Sequence, residues 1–291
     1  MKKILITGAF GFIGSHLLNK LNKSNNEIYT FSRAIKKSSN HFSGNFLNTN
    51  LLDNILNKTR PEIIVHLAWE TTPGKFYEDK INANWSDASI ELIKKFFLQG
   101  GKKFIFSSTC DEYGISNLSE NLEELKECDP KTLYGKSKNF VSNFLEKNYK
   151  NQSVILRNFF VCGPGEDKSK LISYILNNIK NKNKINLKRP LDLIDFIDVR
   201  DIASIINKLI NDNHVGIFNL GTSTNNTPLG LAKKILKIKG LKASRYLIDS
   251  NKQENRLRIV ANNLKLKKNL RYKIRFNIDK TIKDLIKIYD V

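Results

Sequence analysis

The chain opens on KKILIT (2–7), which reads as a β-strand, and passes directly into Thr7-Gly8-Ala9-Phe10-Gly11-Phe12-Ile13-Gly14. Glycines at 8, 11 and 14 stand between that strand and a stretch, Phe12 to Asn22, with helical periodicity. No other feature constrains the fold as strongly. Glycine permits a tight turn, lets backbone N–H groups approach a ligand, and lets the helix lie close on the strand. The helix N-terminus adds a partial positive charge at the same place. The turn therefore suits the pyrophosphate of a dinucleotide, lying over Gly8, Gly11 and Gly14 with Phe12 and Ile13 in the first helical turn.

The next hundred and fifty residues or so support this context. EIYTF (27–31), PEIIVHLA (61–68), KKFIFSS (102–108) and SVILR (153–157) read as further strands. Helical patterns fall between them, near 51–58, over 81–98 and over 133–149. Strands alternating with helices predict an α/β fold with a doubly wound parallel (Rossmann) sheet. After Gly163-Pro164-Gly165 the elements shorten: helices at 168–180, 199–212, 228–239 and 278–289, and strands near 193–197 and 215–219. We expect a dinucleotide-binding domain over 1–162 and a smaller substrate-binding part over 163–291. Some elements near 193–220 are expected to rejoin the first sheet.

Composition narrows the classes. A hydrophobic fraction of 40% excludes disorder as the default. No run approaches the ~20 apolar residues of a membrane helix, and the glycines interrupt any signal-peptide reading of the start, so a cytoplasmic location is expected. The net charge of +21 comes mostly from lysine spread along the chain, without zinc spacing or basic-aromatic platforms, so no nucleic-acid partner is expected. Cys110, Cys128 and Cys162, and the histidines at 16, 41, 66 and 214, lack metal-ligand spacing, and no metal is expected.

Two further patterns bear on chemistry. The second strand ends in Phe31-Ser32-Arg33, where a carboxylate would hold the ribose hydroxyls of NAD. An arginine there suits a 2′-phosphate, which favours NADP(H) over NAD(H). Tyr134 and Lys138 lie four apart at the start of a helix and share a face. A nearby ammonium is expected to lower the phenol pKa from ~10 and let Tyr134 exchange a proton with a carbonyl oxygen. Thr109, at the C-terminal end of the 102–108 strand, is placed to hydrogen-bond the same oxygen.

At this point the chain resembles the extended short-chain dehydrogenases/reductases of the NAD(P)-dependent sugar epimerase/dehydratase kind. The matching pieces are T-G-x-x-G-x-x-G (7–14), H-L-A (66–68), S-S-T and Y-G (107–114), and Y-x-x-x-K (134–138). Later ones are L-R-x-x-x-x-x-G-P-G (156–165), D-F-I-D-V-R-D-I-A (195–203) and F-N-L-G (218–221). The resemblance implies a Thr109/Tyr134/Lys138 catalytic site. It implies a cofactor touching Ser32, Arg33, Asn45 near the adenine, Leu67, Ala68, Ser107, and Asn84 in the helix behind the active site. It implies a nucleotide-sugar substrate and a homodimer through the helices at 81–98 and 133–149.

Anchored on S-T and Y-G, Cys110 takes the place of the acid and Asp111 that of the base in the sugar dehydratases this family resembles. If the segment is extended, the Asp111-Glu112 pair is turned by the one-residue slip. That weighs against dehydration, and exchangeable NADP against epimerisation. The expected activity is reduction of a 4-keto group on a nucleotide-linked deoxysugar, in surface-polysaccharide or deoxysugar biosynthesis. The alternatives are a nucleotide-sugar 4-epimerase or dehydratase, and a non-catalytic dinucleotide-sensing or RNA-associated relative. The loop 66–75 is similar to a branch of 4-keto-6-deoxysugar reductases, so Trp69 and Lys75 join Cys110, Asp111, Arg189 and Arg256 as candidate substrate contacts. Phe160 and Ile194 stand where many relatives carry Asn and Arg.

Overall fold

The computed structural model describes residues 1–22, 24–114, 120–248 and 256–289. The first half runs β1 (Lys3–Thr7), α1 (Phe12–Leu21), β2 (Glu27–Ser32), β3 (His41–Ser43), α2 (Thr49–Thr59), β4 (Ile63–His66), α3 (Ile81–Leu98), β5 (Lys103–Thr109), α4 (Leu133–Tyr149) and β6 (Ser153–Asn158). The second half adds β7 (Phe160–Cys162), α5 (Leu171–Lys180), β8 (Leu193–Ile194), β9 (Phe196–Asp198), α6 (Val199–Asn211), β10 (Gly216–Leu220), α7 (Pro228–Ile238), α8 (Ala243–Tyr246), β11 (Arg258–Ile259), α9 (Leu264–Asn269) and α10 (Ile278–Tyr289).

Seven strands form one sheet in the order β10-β6-β5-β4-β1-β2-β3, and every pairing is parallel. This is the doubly wound sheet expected from the sequence. Parallel strands are covered on both faces, so they read as continuous apolar runs. Ile4 and Ile6 of β1 face one core with Leu17, Ile202 and Leu209 of α1 and α6. Leu5 faces the other, with Leu56, Leu92 and Val141 of α2, α3 and α4. Strand order reverses between β1 and β4, which opens a crevice at their C-terminal ends.

Capping marks the helices along that edge. Thr132 accepts from Gly135 N at the start of α4, and Asp198 from Arg200 N at the start of α6. α7 begins at Pro228 behind Thr227.

The strand expected over 193–197 is two strands broken at Asp195, whose buried carboxylate accepts from the backbone of Thr222, Ser223 and Ala261. That side chain ties the 193–198 segment to the end of β10 and to Ala261. Strands β3, β7 and β11 are not foreseen by the sequence pattern, being too short to show a period. Among the described residues no helix is long and apolar enough to cross a membrane.

Candidate functional site

The glycine turn is built to hold something against it. Gly8 has φ +69°, and a Cβ there would lie 2.7 Å from Ala68 N. A Cβ on Gly14 would lie 2.4 Å from Gly8 O, so only glycine lets α1 sit this close to the end of β1. α1 has no acidic residue in its first turn and no side chain capping it, which leaves its N-terminal field for an anion. This cradle fits the pyrophosphate of a dinucleotide. Leu67 and Ala68 wall it on the β4 side, and Ser32 and Arg33 end β2 on the other. Asn45 follows β3 on the same rim, exposed, beyond the Gly44 N to Ser32 O bond.

Across the crevice, β5 and α4 bring Thr109, Tyr134 and Lys138 together. Lys138 is buried, and its Nζ donates to Ser107 O at 2.7 Å. It rests over the rings of Trp69 at 3.9 Å, Phe106 at 4.8 Å and Tyr134 at 5.8 Å. The Tyr134 hydroxyl bonds Thr109, whose Oγ1 accepts from Asp111 N at 3.2 Å. Phe76 and Tyr77 pack edge-on against the Tyr134 ring at 4.9 and 6.0 Å, and Tyr134 N donates to Tyr77 O.

The electrostatics differ from the sequence expectation. Burial pushes the Tyr134 phenol up, not down, with the neighbouring Tyr77 adding to it and the Thr109 bond opposing. Burial also pushes Lys138 down to about 7, against the pull of Glu112. The aromatic cage costs the cation more hydration than it returns, so without bound ligand the phenol is a neutral proton donor. Stability should depend on pH as a result. Above pH 7 the folded protein is losing the Lys138 proton while an unfolded lysine keeps it to ~10.4. The unfolded state then binds more protons, and stability rises with pH by up to ~1.4 kcal/mol per unit. Melting of ligand-free protein between about pH 7 and 8.5, where unfolded cysteines begin to titrate, should show this rise. It should be lost in Lys138→Met, and an equal rise in that variant would reject the assignment.

Several expected contacts are placed elsewhere. Trp69 is buried beneath Lys138 and donates through Nε1 to Asn82 Oδ1 at 2.8 Å, so it serves as a platform and is not open to a substrate. Asn84 is exposed on α3; the inward residue is Asn82, which also donates to Phe76 O. Two residues turn ~200° around a helix, which puts the two asparagines on opposite faces. Cys110–Tyr113 form a turn of 3-10 helix, not extended chain. Asp111 stays by the site, hydrogen-bonded to Thr132, while Glu112 turns into the core against Arg157. Burial lifts the Asp111 carboxyl above its usual range, against the Thr132 bond and aided by Glu78. Cys110 is pushed up by burial and then by Asp111, so its thiol stays protonated.

Lys75 is exposed on the loop after β4. Arg189 is held by Asp192, with Nη2 to Oδ1 at 2.9 Å, and Arg256 is exposed beside Leu257, which bonds the same carboxylate. Phe160 packs on Phe196, and Ile194 pairs through its backbone with Asn226. Sequence reading missed Phe76, Tyr77 and Asn82, which sit in a loop or behind Trp69 and follow no motif. It also missed Glu70, whose Oε2 lies 3.2 Å from Arg33 Nη1.

A glycine-lined first crossover and a Thr/Tyr/Lys cluster at the C-terminal edge of one parallel sheet define a short-chain dehydrogenase/reductase of the extended kind. The chain belongs to the NAD dependent epimerase/dehydratase family, whose model matches residues 4–221. It is 27% identical over 273 residues to a dTDP-D-glucose 4,6-dehydratase of Dictyostelium discoideum, covering 82% of this chain and 62% of that protein. It is 28% identical over 206 residues to a UDP-glucose 4-epimerase of Neisseria meningitidis serogroup C, covering 62% and 59%. The chain thus spans about three fifths of the length of these two relatives. An ADP-L-glycero-D-manno-heptose-6-epimerase of Brachyspira hyodysenteriae is 27% identical, covering 81% of this chain and 80% of its own. In fold, the chain is similar to a dTDP-glucose 4,6-dehydratase from Bacillus anthracis in complex with NAD, with TM-score 0.84, 22% identity and coverage of 100% and 97%. It is equally similar to the Bordetella bronchiseptica enzyme WbmG in complex with NAD and UDP, with TM-score 0.84, 22% identity and coverage of 99% and 94%.

Proposed function

We propose that the protein uses NADPH to reduce a 4-keto group on a nucleotide-linked deoxysugar. The observation that carries the reading is the composition of the cluster: a complete Thr109/Tyr134/Lys138 set with a protonated thiol, Cys110, in the position of a dehydratase acid. Bound NADPH supplies the hydride. Tyr134 gives its proton to the carbonyl oxygen, and Thr109 holds that oxygen in line. Lys138, buried in its aromatic cage, steadies as the ammonium the phenolate that forms and returns a proton to it, its own then being replaced from solvent. Trp69, Phe76 and Tyr77 keep water from the reacting atoms.

Arg33 at the end of β2 supports NADP(H) over NAD(H). Residues 163–291 act as the substrate-binding part, with Lys75, Asp111, Arg189 and Arg256 as candidate substrate contacts. Exposed Leu98 and Phe140, on α3 and α4, support a homodimer through these two helices. A second reading, epimerase or dehydratase, is favoured by Asp111, a carboxyl held beside Tyr134 that can exchange a proton next to a ketone.

Purified protein with NADPH and a panel of 4-keto-6-deoxyhexose nucleotides, followed at the nicotinamide absorbance, tests the choice. The expected result is stoichiometric NADPH consumption with at least one of them. Product formation without net NADPH loss would replace reduction by the second reading, and no reaction with these or with simpler nucleotide sugars would end both.

A further inference from the structure

Arg33 does not wait alone for a phosphate. It follows directly on β2, whereas Glu70 lies beyond β4, and β1 lies between those two strands. Neighbouring strands are ~4.8 Å apart, so this ion pair reaches across two spacings at the edge where the glycine turn lies. Its two members are held differently. Glu70 is fixed: Thr72 donates to its Oε1 from both N, at 3.0 Å, and Oγ1, and its side chain is 18% exposed. Arg33 is 73% exposed and, among the described residues, its guanidinium meets only the remaining oxygen, Oε2. The carboxylate is the anchor, and the arginine is the part free to swing.

We propose that Glu70 sets the choice between a ribose 2′-hydroxyl and a 2′-phosphate, by holding Arg33 in an ion pair that the phosphate must open and the hydroxyl leaves intact. A 2′-phosphate carries up to two negative charges, repels this carboxylate, and needs the guanidinium for itself. A 2′-hydroxyl is uncharged and needs neither the guanidinium nor the release of the carboxylate, so the ion pair stays closed. The inference rests on a dinucleotide lying over the glycine turn. It deepens the NADP reading by assigning a residue that works against it.

Binding of NADPH and NADH, without sugar substrate, tests it by calorimetry or nicotinamide fluorescence on wild type, Glu70→Gln and Arg33→Ala. The Glu70→Gln amide keeps an oxygen for Thr72 and turns its NH2 toward Arg33, so the loop is preserved. Glu70→Gln should tighten NADPH about tenfold and leave NADH within about twofold. Arg33→Ala should weaken NADPH by a similar factor, and Glu70→Gln in that background should bring back only part of it. An unchanged NADPH/NADH ratio in Glu70→Gln, or equal shifts in both affinities, would overturn the proposal. A wild type that prefers NADH, with the tenfold gain still present in Glu70→Gln, would retire the NADP reading while supporting the role of Glu70.

Discussion

Tyr134→Phe is expected to lower turnover by about 10²- to 10⁴-fold while dinucleotide affinity stays within a factor of two. The ring is held edge-on by Trp69, Phe76 and Tyr77, and phenylalanine keeps every one of those contacts. Only the hydroxyl and its bond with Thr109 are lost. Because burial pushes that phenol up, wild-type protein holds the donor form throughout the neutral range. The reductive rate should therefore show no loss of donor until strongly alkaline pH. Steady-state rates with NADPH, together with a dinucleotide titration of the variant, check both halves. Full activity in Tyr134→Phe would dismiss Tyr134 as proton donor, and a parallel collapse of dinucleotide affinity would show that the phenol positions the cofactor instead.

The sheet is legible in the sequence because parallel strands buried on both faces leave long apolar runs, and because helices of clear period fall between them. Helices at 81–98 and 133–149 appear with those bounds. The glycine turn is legible for a steric reason, since Gly8 and Gly14 have backbone atoms where a Cβ would go. Tyr134, Lys138 and Thr109 are found through spacing and strand position, and the structure brings them together. What fails depends on local geometry that no period encodes. Asp111 and Glu112 diverge because a 3-10 turn rotates successive side chains by ~120°, where the sequence suggests extended chain. Helical phase alone turns Asn82 inward and Asn84 outward. In the protein alone the phenol shifts up and not down because spacing reveals a charge but not the desolvation around it. Glu70 lies in a loop with no pattern, and only the fold brings it to Arg33.

Replacing Arg157 by methionine should cost about 3–5 kcal/mol of stability, the largest effect expected from a residue outside the reacting cluster. Arg157 is buried in β6 and donates from Nε to Glu112 Oε2 at 2.6 Å, and from Nη1 to the Tyr113 hydroxyl and Glu124 O. Its Nη2 meets Cys128 Sγ at 3.1 Å. Glu112 is equally buried and, among the described residues, keeps only Ser108 and Ser142 once the arginine is gone. The cost is that of an uncompensated carboxylate, not of lost attraction. Arg157→Met with Glu112→Leu should therefore recover most of the stability, although it removes more polar contacts than the single change. At about 2–4 °C per kcal/mol, thermal melting should fall by about 10 °C in the single variant and return to within a few degrees in the double. Equal losses in both would mean that the pair stabilises by attraction after all. The double variant also reports on the site, because Glu112 is the charge that favours the Lys138 ammonium. With stability restored and that charge absent, Lys138 should lose its proton at lower pH than the value of about 7 in the intact protein. The rise of stability with pH should then begin lower in the double variant, which separates the carboxylate's influence on Lys138 from its part in the core.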